Sequence, residues 1–136
     1  MKFGRIILAG FVVGILNAVW GSLTCGKFFS WVYRLEPIFV WKSLENMSLL
    51  LANLAGIIFS IMLALVYALI HKGLPGKGLL KGLAFGFFVW IVGTLPGNFA
   101  LSFFTRINHT VIIYWIVGGL VIDLLRGLVI AAIYKD

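Results

Sequence analysis

A chain of 136 residues that is 62% apolar and only 11% charged, with a mean hydropathy of +1.13, has too little polar surface to cover a soluble domain of its size. The formal net charge of +7 would suggest a nucleic-acid partner in a soluble protein. Here the cations stand at the ends of apolar runs, so no nucleic acid is implied and the expected partner is the lipid bilayer.

Four apolar stretches, Ile6 to Leu23, Leu49 to Ile70, Gly82 to Phe104 and Val111 to Tyr134, approach the roughly 20 residues that cross a ~30 Å hydrocarbon core. They are apolar all round, whereas a barrel would show ~10-residue alternating segments. The fold class is therefore all-α: one polytopic membrane domain over 1–136, with transmembrane helices at about 6–24, 49–71, 79–104 and 110–134.

The first helix follows Lys2 and Arg5 and imitates a secretory signal in its basic start and apolar middle. Ser22, Leu23 and Thr24 lack the arrangement that precedes a lipoprotein cysteine, so the segment is expected to be retained. Cys25 is the sole cysteine, which excludes thiol exchange within one chain, because passing electrons needs a pair. Asn17 and Trp20 add polar groups to this helix.

The connection 26–48 is too aromatic for an ordinary linker. Phe28, Phe29, Trp31, Tyr33, Phe39 and Trp41 interleave with Lys27, Arg34 and Lys42, the pattern of a segment lying among headgroups. A short interfacial helix broken at Glu36-Pro37 is expected, or alternatively a lid over an outer-facing pocket. The sequons at Asn46 and Asn108 lie too close to helix starts for a glycosylating enzyme to reach.

Small residues mark the faces where helices meet, since close backbone approach supplies the contact that hydrophobic force cannot supply in lipid. Helix 1 carries Gly10, Gly14, Ala18 and Ser22, and helix 2 carries Ala52, Gly56, Ser60, Ala64 and Ala68 beside the amide of Asn53. Helix 3 carries Gly78, Gly82 and Gly86, then Gly93 and Gly97 around Pro96, where a helix break with freed carbonyls is expected. No strand leads into these glycines, so they are not a phosphate loop. His71 and His109 are expected at opposite interfaces, where they cannot share one metal or haem; no metal site and no cofactor are expected.

Helix 4 places Asp123 on a stripe with Gly119, Gly127 and Ala131, midway between Thr110 and Asp136. An ionisable group at that depth costs at least ~2.5 kcal/mol on insertion scales and marks a site. Arg126 lies within reach for an ion pair along the same helix. Either the pair neutralises itself and ties helix 4 to a neighbour such as Asn17, Asn53 or Trp20, or Asp123 loads and releases a proton or cation while Arg126 tunes it.

Sliding the chain along itself aligns helix 1 with helix 3 at an offset of 72, and helix 2 with helix 4 at an offset of 63. Gly10, Gly14 and Gly21 then fall on Gly82, Gly86 and Gly93, while Gly56, Ala68 and Lys72 fall on Gly119, Ala131 and Lys135. Two parallel-repeat hairpins are expected, with Ser60 opposite Asp123. Lys2, Arg5, Lys72, Lys77, Lys81 and Lys135 share one side. Lys27, Arg34, Lys42 and Arg106, offset by Glu36 and Glu45, share the other. The positive-inside rule then puts both termini in the cytoplasm and the multi-pass chain in the cell inner (plasma) membrane.

The run Asn17-Ala-Val-Trp-Gly, followed by Gly26-Lys-Phe-Phe-Ser-Trp and the glycine-rich third and fourth helices, resembles an uncharacterised domain family of small bacterial four-helix membrane proteins. That resemblance implies a four-helix bundle and carries no activity. Small multidrug exporters depend on a glutamate in helix 1, where this chain has only Asn17; the Glu-Arg pair of glutathione-dependent membrane enzymes and the glycine and arginine pattern of fluoride channels are also missing. No Ser/His/Asp set or carboxylate pair converges at one depth. The reading is a four-helix binding, accessory or assembly subunit without intrinsic catalysis, homo-oligomeric or part of a larger complex. The alternative is a small proton-coupled transporter or channel using Asp123 and Arg126.

Overall fold

The computed structural model describes residues 2–42 and 48–135; the regular structure among them is all helical, with no strands. Glu45, the sequon at Asn46 and Asp136 lie outside the described residues. Helix α1 (Phe3–Leu23) continues through a π-helical turn, Thr24–Phe28; 3-10 turns at Ser30–Arg34 and Ile38–Val40 follow, on either side of Glu36-Pro37. Then come α2 (Leu49–Ile70) with a 3-10 turn at His71–Gly73, α3 (Leu79–Val89), a π-helical turn at Trp90–Thr94, α4 (Leu95–Phe104) and α5 (His109–Ile133). Four helical runs are long and apolar enough to cross a membrane: Phe3–Phe28, Leu49–Gly73, Leu79–Phe104 and His109–Ile133. They are spans 1 to 4. Span 1 runs further than its apolar stretch, because the π turn carries the helix into the aromatic loop.

Local chemistry sets the ends. Ser48 Oγ accepts from the Leu51 amide (3.4 Å) at the start of α2, and Asn108 Oδ1 accepts from the Thr110 amide (2.9 Å) at the start of α5. Gly78 takes φ +54° where the chain turns into α3. At the far end of α5, Lys2 Nζ and Arg5 Nη1 both donate to the Lys135 carbonyl, at 3.0 and 2.9 Å. Those bonds put cations on the negative pole of a helix and hold the two ends of the chain at the same end of the bundle.

Spans 1 and 4 form the centre, span 2 packs on span 1 and span 3 on span 4, while spans 2 and 3 lie on opposite flanks with no continuous packing between them. Both seams are built on glycine. On α1, Gly10 lies against the backbone and side chain of Ile61 and Gly14 against those of Ile57 of α2. Between α3 and α5 the backbones themselves touch: Gly82 lies on Gly127, and Gly86 on the Asp123 and Leu124 backbone. The glycines of helix 1 therefore do not meet the small-residue stripe of helix 2. Ser60, Ala64 and Ala68 of that stripe are buried, but Ala52 is exposed and Gly56 has no heavy atom near its would-be side chain.

The core lies in the half nearest the chain termini, where Ile6, Ala9, Val13, Ala64, Phe85 and Ile130 are closed off. An aromatic knot seals that end: Tyr67 meets Phe85 (5.2 Å, edge-on), His71 (6.0 Å, stacked) and Tyr134 (6.0 Å, edge-on). His71, at the end of span 2, is buried there at 8% exposure and its Nδ1 bonds the Ala68 carbonyl at 2.9 Å. The opposite half opens outward, with Gly93 and Gly97 facing nothing within 4 Å.

Candidate functional site

Asp123 is 1% exposed, and both its carboxylate oxygens are taken. Arg126 Nη1 donates to Oδ1 at 2.5 Å, and the Thr94 hydroxyl donates to Oδ2 at 2.6 Å. Arg126 Nε donates in turn to Asn17 Oδ1 (2.7 Å), Asn17 Nδ2 to Ser60 Oγ (3.0 Å), and the Ser60 hydroxyl to the Gly56 carbonyl (2.7 Å). One continuous chain of polar contacts thus joins all four spans through Ser60, Asn17, the Asp123–Arg126 pair and Thr94. The two charges cancel, and their lone pairs and protons find partners, which is the condition under which an ion pair is tolerated away from water. The Arg126 side chain keeps 27% exposure.

The π-helical turn explains how span 3 reaches this network. Pro96 has no amide hydrogen, and its ring crowds the carbonyl four residues back; the helix widens just ahead of it, over Trp90–Thr94, so that the Leu95 amide reaches back to the Trp90 carbonyl. Widening places Thr94 on Asp123 and lets Trp90 Nε1 donate to the Ile116 carbonyl at 2.9 Å. Asn98 Nδ2 then occupies the Thr94 carbonyl at 2.8 Å. Pro96 and Gly97 themselves are exposed, as is Asn53, which takes no part in the network.

Beside the network lies a cavity of about 260 Å³ between spans 1, 3 and 4, walled by Asn17, Trp20, Thr24, Cys25, Asn98, Tyr114, Trp115 and Ile122. Its room comes from missing side chains, since Gly21 and Gly118 line it and neither would bring a Cβ within 4 Å of anything. Asn17 belongs to both features: its side chain lines the cavity and carries Arg126.

The aromatic loop docks over the outer end of α5. Trp115 Nε1 donates to the Tyr33 hydroxyl at 2.8 Å, and the same hydroxyl pairs with Cys25 Sγ at 3.1 Å. Trp41 closes edge-on against Tyr33 (5.1 Å) and Trp115 (5.9 Å), and Phe29 lies 5.1 Å from Tyr114. Phe28, Trp31 and Phe39 stay exposed. Trp41 Nε1 is buried without a hydrogen-bond partner among the described residues. Burial, and then the bond to Cys25, push the Tyr33 hydroxyl well above its ordinary value of 10.0, against a lowering by the Trp115 bond. A raised folded value means that the contribution of Tyr33 is fully present below pH 10.0 and is lost as pH rises beyond it. Alkaline unfolding should therefore show a stability slope above that pH which Tyr33→Phe reduces; identical slopes in the two proteins would contradict the docking.

Asn17, Ser60, Asp123 and Arg126 are brought together, Trp20 joins the cavity wall, and Asn53, Pro96 and Gly97 stand apart. Sequence reasoning missed Thr94, Trp90 and Asn98, although a threonine two residues before a proline in an apolar helix, beside two further polar side chains, is a signal that could have been read. Among the described residues no group of three or more His, Cys, Asp or Glu could hold a metal ion. No protein-family model matches the chain, and no curated protein or solved structure is significantly similar to it.

Proposed function

We propose that this is an integral membrane four-helix protein serving as a binding, accessory or assembly subunit, without intrinsic catalysis. The carrying observation is that the mid-bundle carboxylate is closed: Asp123 is 1% exposed and both its oxygens are bonded, to Arg126 and Thr94. A charge pair spent on joining four spans acts as a tie. Support for a partner in the membrane, a second copy or another subunit, comes from the open outer half, where Ala52, Asn53, Gly93 and Gly97 are exposed; small residues and an amide are what helix interfaces in lipid use.

The proposal includes a topology. The end bearing Lys2, Arg5, Lys72, Lys77, Lys81 and Lys135 faces the cytoplasm of a cell inner (plasma) membrane, because it carries the larger share of cations. It also includes descent from two parallel hairpins: Gly10 and Gly14, and their counterparts Gly82 and Gly86, each lie in the seam of their own hairpin, while Ser60 and its counterpart Asp123 both enter the polar network. Kinship with the small bacterial four-helix family belongs to the same reading.

A second reading, a proton-coupled transporter or channel, draws on Asn17, which connects the cavity to Arg126. Reconstituted in liposomes with a pH-sensitive dye inside, the native chain should give no more proton flux than empty vesicles, and Asp123→Asn should change nothing. Flux that Asp123→Asn abolishes would overturn the accessory reading in favour of transport.

A further inference from the structure

The cavity of about 260 Å³ between spans 1, 3 and 4 is walled by three large aromatic side chains, Trp20, Tyr114 and Trp115, and by no acid, lysine, arginine or histidine. Most of its polar groups are already engaged. Asn17 holds Arg126 and Ser60, Thr24 Oγ1 donates to the Trp20 carbonyl at 2.6 Å, Asn98 Nδ2 donates to the Thr94 carbonyl, and Trp115 Nε1 donates to the Tyr33 hydroxyl. Two donors remain. The Trp20 indole N–H and the Tyr114 hydroxyl belong to half-buried residues of the cavity wall and take no hydrogen bond from the described residues. One comes from span 1 and the other from span 4.

This lining selects by charge, shape and polarity. An anion finds no cationic side chain on the wall. A cation could use the ring faces, but both oxygens of Asp123 are taken and Arg126 stands behind Asn17. A neutral ligand is left. Aromatic walls favour a flat ring, which stacks on them or meets them edge-on, and donors on two walls call for acceptor oxygens, since a buried donor left unbonded costs stability. The volume falls below the ~300–1,000 Å³ of a site for a whole drug-sized ligand, so it suits a ring whose tail stays in the lipid. We infer that the cavity is a binding site for the carbonyl-bearing ring of a neutral, membrane-soluble quinone. The inference goes beyond the tie made by Asp123 and Arg126 and stands whether the protein is a subunit or a transporter.

The test titrates the full chain in neutral detergent with decylubiquinone, with dioctanoylglycerol as a neutral carbonyl carrier that lacks a ring, and with decanoate as an anion. Circular dichroism follows the thermal midpoint, which a ligand of the folded state raises. Decylubiquinone should raise it saturably, and the other two should not. Gly118→Leu fills the cavity from a position where an added Cβ meets nothing within 4 Å; it should fold and lose the shift. Gly21→Leu, equally unobstructed on the span 1 wall, repeats the test should Gly118→Leu not fold. Trp20→Phe and Tyr114→Phe keep the rings and remove the donors, and each should raise the half-saturating concentration by about three- to tenfold. An undiminished shift in the filled variants would place the quinone in the micelle, and an equal shift from dioctanoylglycerol or decanoate would make the cavity a general apolar hollow. Either result overturns the site, as does a native chain that shows no shift. Proton flux through Asp123 is measured separately, so failure here leaves the subunit reading standing.

Discussion

Removing Asp123 should cost far more than removing its partner. Asp123→Ala leaves the Arg126 guanidinium inside the bundle with no counter-charge, and an arginine cannot shed its proton; breaking a buried pair in this way costs about 3–5 kcal/mol. Arg126→Met leaves a carboxyl that a proton can neutralise and that keeps its bond from Thr94, so a loss of about 1–2 kcal/mol is expected. The double variant should recover much of the deficit of Asp123→Ala, giving a coupling of ~1 kcal/mol or more in equilibrium unfolding. Additive losses would show that the two charges do not act as a unit. Asp123→Asn, which keeps acceptors and shape, should fall between native and alanine. Should Asp123→Asn instead stabilise the chain, the residue is held at a cost for function, and the transporter reading gains.

Gly127→Ala is the second large effect, and a single methyl group causes it. A Cβ at Gly127 would fall on the Gly82 carbonyl oxygen and 2.9 Å from the Gly86 amide nitrogen. Both obstacles are backbone, so α3 and α5 must part. Overpacking of this kind costs about 1–3 kcal/mol, and the upper end is expected because parting also loosens the Thr94–Asp123 bond across the same seam. Gly118→Ala, on the same helix with nothing within 4 Å of its added Cβ, should be neutral or stabilise by up to ~1 kcal/mol through helix propensity. Thermal midpoints in one detergent decide it: similar shifts for the two variants would deny the close contact. Any general dislike of helix 4 for alanine would show in both.

The contrast between the two glycines shows where sequence reasoning stops. Both look alike in a glycine-rich apolar helix, and the four-residue spacing of Gly119, Asp123, Gly127 and Ala131 says only that they share a face. On α5 that face does meet a neighbour, α3. On α2 the equivalent stripe is split, buried at Ser60, Ala64 and Ala68 and exposed at Ala52, because α1 receives Ile57 and Ile61 from the adjoining face instead. Periodicity gives a face; it does not give the rotation of one helix against another, which is chosen by the fit of the whole bundle.

The site divides in the same way. Four apolar runs of membrane length, an all-helical fold and the reach of Arg126 to Asp123 three residues away are consequences of hydropathy and helix geometry, which are local and so can be read along the chain. Asn17, Asn53, Ser60 and Trp20 were equally good polar candidates by composition, yet only Asn17 and Ser60 enter the network, with Thr94 beside them. That selection depends on which helices neighbour one another, on the register of each seam, and on the π turn before Pro96 that swings Thr94 inward. The outer cavity is likewise absent from any single stretch of sequence: it is the gap left where spans 1, 3 and 4 meet, bounded by residues as far apart as Asn17 and Ile122. Local chemistry determined what each helix is; the sterics of packing four of them together decided what the charged pair touches and where the protein is hollow.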